Sequence, residues 1–259
     1  MTDSMANFTK LLEQDGSFFE QVLSDPSLDI ACKTNSVELR KYLSRHLPRL
    51  LKTAFREDNE DITLKALQLL TCGSQFVIPN LVKSSFFPES ACKYISRGNL
   101  SERRLGRICD ITISIIQSGI KDIISQLGFI LTLLREYSGN TNVYNLFSII
   151  LTSKDKFDFH RDWLFEIGFE QQLSEMLNEN LSKEYSMVYN IEQESLINLL
   201  RLVADACKIP NSRTILNQGS IIDLFSKSYA LPPIPLNFFW EATNKLYSPE
   251  YIQKFTFQI

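Results

Sequence analysis

Apolar residues recur every three or four positions along most of the chain. The clearest examples are the segments 63–70, 105–116 and 190–207, where apolar side chains follow i, i+3, i+4, i+7 spacing. This spacing places them on one face and is typical of amphipathic α-helices. Segment 105–116 is apolar enough to predict a helix that is buried on nearly every side. The pattern predicts an all-α fold, with helices of about 10–18 residues joined by short connections.

One stretch of the chain also fits a strand. Between Ile111 and Ile116, β-branched residues alternate with others as they would on a half-buried strand. The stretch lies, however, within a longer apolar segment that opens with Ser101-Glu102-Arg103-Arg104. Because serine is a preferred N-cap, a helix that begins after Ser101 is the better prediction.

Three glycines occur at similar places along the chain. Gly119, Gly168 and Gly219 each follow an apolar helix end and precede a new apolar segment, and they lie 49 and 51 residues apart. Glycine suits a left-handed helix C-cap, which allows the chain to reverse into the next helix. The interval is close to the roughly 40–47 residues of HEAT and armadillo repeats.

We therefore predict a single domain over residues 1–259, in which HEAT- or armadillo-like helix pairs stack into an α-solenoid. A helix pair of this kind buries its apolar face only against a stacked neighbour. An irregular helical bundle whose turns happen to contain glycine is the alternative. Helix boundaries are predicted at Pro26, Pro48, Pro79, Pro88, Gly139, Pro210 and the proline block 232–235.

The segment 232–240 combines prolines with large apolar side chains. The prolines predict an extended stretch, and Phe238, Phe239 and Trp240 follow it. Either this segment packs back against the last repeat and caps it, or it exposes an apolar binding patch.

The composition narrows the class of protein. The chain of 259 residues has a formal net charge of −3 and contains 9 glycines and 9 prolines. This shortage of turn formers disfavours β-sandwiches and barrels and excludes collagen-like and low-complexity chains. The near-neutral charge gives no reason to expect nucleic-acid binding. No segment approaches the about 20 apolar residues of a membrane span.

The cysteines indicate a reducing compartment. Cys32, Cys72, Cys92, Cys109 and Cys207 are scattered and show no zinc-site spacing. They predict reduced thiols within the core. The N-terminus shows no signal-peptide pattern. The expected location is the cytoplasm, with access to the nucleus left open.

Catalytic motifs are missing from the sequence. His46 and His160 are its 2 histidines, and neither has a further metal ligand at helical spacing. The sequence contains no nucleophile elbow, P-loop, dinucleotide fingerprint or zinc-protease motif. We therefore expect neither an enzyme nor a cofactor or metal. A catalytic site assembled from residues distant in sequence is the alternative.

Two groups of cations stand out. The first consists of Arg40, Lys41, Arg45, Arg49, Lys52 and Arg56, and the second of Arg97, Arg103, Arg104 and Arg107. Each is either a solvated helix face or a docking surface for an acidic or phosphorylated partner. The acidic run 57–61 directly after the first group is predicted to be a connecting loop. Nucleic-acid binding is disfavoured, because no set of stacking aromatics interleaves with the arginines.

Several segments, in order, resemble a known family. Residues 23–43, with Cys32-Lys33, are similar to the "C-K-x-x-N-x-x-L-x-x-F-L" region of SAPS-domain proteins. Residues 69–72 are similar to that family's "L-L-T-S", 163–166 to its "W-L-N-E" and 196–201 to its "L-x-D-I-V-R" segment. Ser36, Phe165 and Asn198 depart from the family's Asn, Asn and Asp. The resemblance spans about residues 18–230.

SAPS-domain proteins are regulatory subunits of protein phosphatase 6-type serine/threonine phosphatases. The resemblance therefore implies a non-catalytic regulatory and scaffolding subunit that binds the catalytic subunit of a 2A-like phosphatase and directs it to substrates. The residues we expect at the partner interface are Arg40, Lys41, Arg45, Arg49, Lys52, Trp163 and Glu166. A generic armadillo- or HEAT-like adaptor for another protein partner, in vesicle traffic or the cytoskeleton, is the alternative.

Overall fold

The structure is a computed structural model, and it describes residues 2–14, 18–71, 77–98, 100–120, 126–152, 158–207 and 231–246. Within these ranges the regular elements are helices and no β-strand occurs, which confirms the prediction of an all-α fold. The chain divides into two compact units, Met1–Leu127 and Gly128–Ile259. The stacked solenoid and the single domain remain predictions.

The described helices of the first unit are α1 (Thr2–Glu13), α2 (Phe19–Ser24), α3 (Ser27–Lys33), α4 (Val37–Arg45), α5 (Leu47–Ala54), α6 (Glu60–Thr71), α7 (Val77–Lys83), α8 (Phe86–Ile95) and α9 (Glu102–Gln117). Those of the second unit are α10 (Phe129–Tyr137), α11 (Thr141–Thr152), α12 (Asp158–Glu166), α13 (Phe169–Leu181), α14 (Glu192–Cys207) and α15 (Pro233–Leu246).

Helix α6 lies at the centre of the first unit. It packs against α2, α5, α7 and α9. Its side towards them is formed by Thr63, Ala66, Leu69 and Leu70, all of which are buried. The predicted apolar segment 63–70 is therefore a core helix, and burial of its aliphatic side chains stabilises this unit.

Helix α14 has the same position in the second unit, where it packs against α11, α13 and α15. Three of its buried side chains, Gln193, Asn198 and Asp205, are polar, and two of them bond to neighbouring helices. Asn198 Nδ2 donates to the Ser138 carbonyl at 3.0 Å, and the Asp205 carboxylate accepts hydrogen bonds from Tyr144 Oη at 3.0 Å and Ser148 Oγ at 2.7 Å. These bonds join α14 to α11 and to the end of α10, because buried polar groups need partners.

Helix α9 covers the segment that also fitted a strand. Its N-cap is Ser101, whose side-chain oxygen accepts a hydrogen bond from the Arg104 amide. Ile111, Ile115 and Ile116 are all buried on this helix. Both the helix and its cap are confirmed, and the alternation of β-branched residues did not override the 3.6-residue period.

Two of the three predicted glycine turns fall on described residues. Gly119 has a φ of +70° and Gly168 a φ of +98°, in the left-handed region. An added Cβ would meet nothing within 4 Å at either position, so the backbone conformation rather than lack of space favours glycine there. Gly219 lies outside the described residues, as does Pro210.

Prolines shape the helices differently from the prediction. Pro26 precedes α3 and Pro48 is in the first turn of α5, so α2, α3 and α5 have only 6, 7 and 8 residues, fewer than predicted. The expectation of an extended stretch at 232–235 is wrong, because α15 begins at Pro233. The first turn of a helix tolerates proline, since its amide has no intrahelical partner there. Within α15, Phe239 is buried whereas Trp240 is 48% exposed.

Candidate functional site

The first basic group begins on α4. Leu39, Tyr42 and Leu43 form the buried side of this helix. Arg40, Lys41 and Arg45 lie away from that side, with Lys41 and Arg45 exposed and Arg40 half-buried. Helical periodicity therefore turns the three cations outward once the apolar positions are buried.

Helix α4 starts at a well-formed cap. The Ser36 side chain is the N-cap and accepts a hydrogen bond from the Leu39 amide at 3.3 Å. This is one of the positions at which the chain departs from the SAPS pattern, where asparagine is found. Serine and asparagine are about equally good N-caps, so the departure keeps the start of the helix.

An open groove of about 680 Å³ lies between α4 and α7. Its lining residues are Val37, Arg40, Lys41, Ser44 and Arg45 of α4 and Asn80 of α7. Asn80 Nδ2 donates to Ser44 Oγ at 2.9 Å and so joins the two helices at the groove. None of these described lining residues carries a carboxylate, so the groove offers positive charge and several hydrogen-bond donors.

The turn before α4 positions Arg40. Asn35 has a φ of +57°, a left-handed conformation that asparagine adopts more readily than most residues. Its carbonyl accepts a hydrogen bond from Arg40 Nη2 at 3.1 Å. This bond holds the guanidinium beside the groove.

One carboxylate lies close to the same face. Ser36 Oγ donates to Glu38 Oε2 at 2.8 Å. This hydrogen bond, with a smaller contribution from the charge of Lys41, lowers the pKa of Glu38 below its ordinary value of 4.5. Glu38 is therefore ionised at neutral pH and offsets part of the positive charge of α4.

The rest of the first basic group has other surroundings. The Arg49 guanidinium carbon lies 5.0 Å from the centroid of the buried Phe19 ring, and Lys52 is exposed on α5. Arg56 donates to both Asp58 oxygens and forms an ion pair with Glu20, and these contacts raise its pKa. The groove therefore brings together Arg40, Lys41 and Arg45 from the predicted set, while Arg49 and Lys52 lie outside its lining.

The second basic group contacts the acidic run. Arg103 lies 3.5 Å from Glu60, and Arg104 lies 3.5 Å from Glu57. Arg104 Nε also donates to the Phe55 carbonyl at 3.2 Å, and its guanidinium carbon lies 4.9 Å from the Tyr94 ring centroid. The prediction that the acidic run 57–61 is a connecting loop is met for residues 57–59, whereas Glu60 and Asp61 form the first turn of α6.

Arg107 completes this cluster from inside the fold. It is 6% exposed and donates to the carbonyl of Arg56. Burial lowers its pKa, and nearby Glu57 acts in the opposite direction. Arg103, Arg104 and Arg107 therefore make contacts within the first unit. For these three residues, a structural role replaces the interpretation as a docking surface.

The two remaining predicted interface residues belong to the second unit. Trp163 and Glu166 lie on α12, where Trp163 is half-buried and Glu166 is exposed. Between them, Leu164 is fully buried. Phe165, which departs from the SAPS pattern, packs edge-on against Phe169 with 5.9 Å between ring centroids.

The histidines and most of the described cysteines pack against other side chains within the fold. His46 lies between α4 and α5 with its ring 4.5 Å from Tyr42, and His160 is buried on α12. Burial raises the pKa of Cys109 and of Cys207 to about 12, so both thiols stay protonated at neutral pH. Cys92 is exposed and Cys32 and Cys207 are partly exposed, which corrects the expectation that the cysteines are core residues; Cys72 lies outside the described residues. Among the described residues, no group of three His, Cys, Asp or Glu side chains could hold a metal ion.

The sequence did not suggest an exposed apolar loop before α14. Met187, Val188, Tyr189 and Ile191 are 67%, 77%, 47% and 83% exposed. The buried Gln193 fixes this loop, since its Nε2 donates to the carbonyls of residues 186 and 188 at 2.8 and 3.1 Å. The run of apolar side chains between polar neighbours was the available signal, but it lacks the period of a helix.

The residues that carry the family resemblance are mostly core residues. Leu23, Leu28, Leu39, Tyr42, Leu43, Leu69, Leu70, Leu164, Leu196, Leu199 and Leu200 are all buried. Asn198, a departure from the SAPS pattern, is buried too. The resemblance therefore describes a pattern of helix packing rather than an exposed interface.

Among the helices that the structure describes, none is long and apolar enough to cross a membrane. Comparison of the chain with protein-family models, curated proteins and solved structures found no match.

Proposed function

We propose that this protein is a non-catalytic regulatory and scaffolding subunit of the cytoplasm. It binds the catalytic subunit of a 2A-like, protein phosphatase 6-type serine/threonine phosphatase and directs it to substrates. The choice of partner rests on the resemblance to SAPS-domain proteins. The mode of binding rests on the exposed cations of the first basic group.

One observation supports protein binding above the others. Arg40, Lys41 and Arg45 line a groove without a lining carboxylate, whereas Arg103 and Arg104 of the second basic group form ion pairs within the fold. Positive surfaces of this kind accelerate and orient the docking of acidic partners. The charges of α4 therefore favour an acidic surface on the partner.

Direct binding tests this function. The purified full chain is titrated against the purified catalytic subunit of a protein phosphatase 6-type enzyme by interferometry. We expect binding that weakens as salt rises, because exposed charge pairs are screened. Failure to bind even at low ionic strength contradicts the proposal.

A matched pair of variants locates the contact. Arg40→Glu/Arg45→Glu reverses two charges of α4, and Lys10→Glu/Lys93→Glu makes the same change in net charge on α1 and α8. We expect the first variant to weaken binding by roughly tenfold or more and the second to change it by less than about twofold. Equal losses in both variants would indicate a non-specific charge effect.

The exposed apolar loop is a second candidate for the surface that contacts the partner. Clusters of exposed apolar side chains often mark protein-binding sites. The experiment compares Val188→Glu/Ile191→Glu with the α4 variant for capture of the phosphatase catalytic subunit. Binding that the loop variant abolishes and the α4 variant leaves unchanged contradicts the α4 interface and favours docking through the loop.

A further inference from the structure

We propose that the groove between α4 and α7 recognises a phosphorylated serine or threonine side chain in a partner protein segment. This inference deepens the proposed function and rests on it only for the use of the α4 surface. It names the chemical group that the surface binds.

The charge of the groove matches a phosphate dianion. Arg40, Lys41 and Arg45 contribute three positive charges. Glu38, which is held ionised by its hydrogen bond to Ser36, removes one of them. A phosphoserine or phosphothreonine carries about −1.5 to −2 charges at neutral pH, so one such group neutralises the site. A single carboxylate leaves it positive.

The helix spacing brings the cations to one region. Lys41 and Arg45 are four residues apart and so are neighbours on the helix surface, where two like charges repel each other. A bound dianion relieves this repulsion. Binding of an anion therefore lowers the electrostatic energy of the site.

The hydrogen-bond donors also suit a phosphate. Arginine presents a planar fork that binds two oxygens at once, and the exposed Arg45 offers such a fork at the groove. The Asn35 carbonyl already orients Arg40 beside the groove, which reduces the entropy lost on binding. Ser44 accepts its hydrogen bond from Asn80, so its own hydroxyl hydrogen can turn towards a ligand oxygen.

The remaining lining favours a peptide as the carrier of the phosphate. Val37 lies at the groove, is 53% exposed and shares one face of α4 with Lys41, four residues further along the helix. An extended segment can place its phosphate on the cations and a neighbouring apolar side chain on Val37. Recognition of phosphorylated motifs by clustered arginines is a common mode of peptide binding.

Fluorescence anisotropy with labelled peptides tests the inference. The probe is a peptide pool with a central phosphoserine and randomised flanks, and the same pools with serine or glutamate at the centre serve for comparison. We expect the phosphoserine pool to bind at least about tenfold more tightly than the serine pool, and more tightly than the glutamate pool. Equal affinities for the phosphoserine and serine pools would overturn the proposal.

Two variants of equal charge locate the site. Arg45→Glu changes a cation of the groove, and Lys52→Glu makes the same change in charge on α5, outside the groove lining. We expect the first to abolish the preference for phosphoserine and the second to retain it. If Lys52→Glu loses the preference for phosphoserine while Arg45→Glu retains it, the proposed site is contradicted. Circular dichroism of both variants checks that they fold.

Two further binding measurements distinguish a phosphopeptide from other ligands and partners. Selective binding to vesicles that contain phosphoinositides, with no peptide binding, overturns the inference in favour of a lipid head group. The phosphatase catalytic subunit is measured in parallel. Its capture without any phosphopeptide binding overturns this inference alone, and phosphopeptide binding without its capture overturns the proposed partner alone.

Discussion

The two groups of cations in the first unit look alike in the sequence but have different roles in the structure. On α9, Arg103 and Arg104 lie beside the carboxylates of Glu60 and Glu57, and Arg107 is buried against a backbone carbonyl. On α4, Lys41 and Arg45 are exposed at a groove whose described lining contains no acid. Both helices begin at a serine N-cap, so local helix chemistry does not distinguish them.

The difference arises from what packs opposite each helix. The connection between α5 and α6 presents its carboxylates and carbonyls to α9. Asn80 of α7, opposite α4, presents an amide. Cations that contact acids within the fold contribute to its stability, whereas Lys41 and Arg45 line the groove and are exposed to a partner. Arg103, Arg104 and Arg107 of the second group therefore contribute to stability, and the groove cations of the first group are the candidates for binding.

The largest expected effect is on the buried arginine. Arg107→Ala removes packed side-chain atoms and a donor to the Arg56 carbonyl, so we expect the free energy of unfolding to fall by about 2–3 kcal/mol. Urea denaturation followed by circular dichroism measures this change. Arg45→Ala is the control, with an expected change within about 0.5 kcal/mol. If the two substitutions cost the same, the distinction between the groups fails.

Substitution of the two serine N-caps is expected to cause the next largest loss of stability. Ser101→Ala and Ser36→Ala each remove the acceptor of a helix N-terminal amide, so each is expected to cost about 1 kcal/mol of unfolding free energy. Ser36→Asn retains an N-cap and is expected to restore most of the loss. Thermal and urea unfolding of the three variants measure these values. A loss in Ser36→Asn as large as that in Ser36→Ala contradicts the assigned cap.

Asp58, in the connection between α5 and α6, is expected to make the stability of the protein depend on pH. Hydrogen bonds from Arg56 lower the pKa of Asp58 below its ordinary value of 3.8. The folded carboxylate binds a proton less readily than the unfolded one, so its contribution to stability is complete above the unfolded pKa and is lost as pH falls through the folded one. We expect Asp58→Asn to be less stable than the parent at pH 6, and the difference to shrink below about pH 4.

Urea midpoints measured at a series of pH values check this expectation. Arg56→Gln is the companion variant, because it removes the same hydrogen bonds to Asp58 together with the ion pair to Glu20. A difference between Asp58→Asn and the parent that stays constant down to pH 3 would show that the ion pair does not cause the shift.

The smallest effect is expected from α4. Arg45→Glu relieves the repulsion between Lys41 and Arg45 but places a negative charge at the C-terminal end of the helix. These effects are similar in size and opposite in sign, so the free energy of unfolding should change by no more than about 0.5 kcal/mol. Thermal unfolding at low and high salt measures it. A large loss of stability would assign Arg45 to the fold.

Much of the helical architecture follows from the sequence. The segments 63–70, 105–116 and 190–207, the Ser101 cap and the glycine turns at Gly119 and Gly168 all follow from periodicity and local backbone preference. These properties depend on neighbours in the chain. The start of α15 at Pro233 was missed because proline is compatible both with an extended stretch and with a first helical turn.

The roles of charged and exposed groups could not be predicted in the same way. Arg103 meets Glu60 at a separation of 43 residues, and Arg107 meets the Arg56 carbonyl at a separation of 51. Only the tertiary packing of α9 creates these contacts. The exposed loop at 187–191 likewise depends on the buried amide of Gln193, which its sequence neighbours do not reveal.

The most direct test compares Arg45→Glu with Arg104→Glu for both stability and phosphoserine-peptide affinity, with affinity measured on the folded protein. We expect Arg45→Glu to lose peptide binding while its unfolding midpoint stays close to the parent value. We expect Arg104→Glu to retain peptide binding but to lower the unfolding midpoint, because the new carboxylate repels Glu57 and the hydrogen bond to the Phe55 carbonyl is lost. The reverse result, or the loss of both properties in each variant, would contradict the separate roles of the two groups.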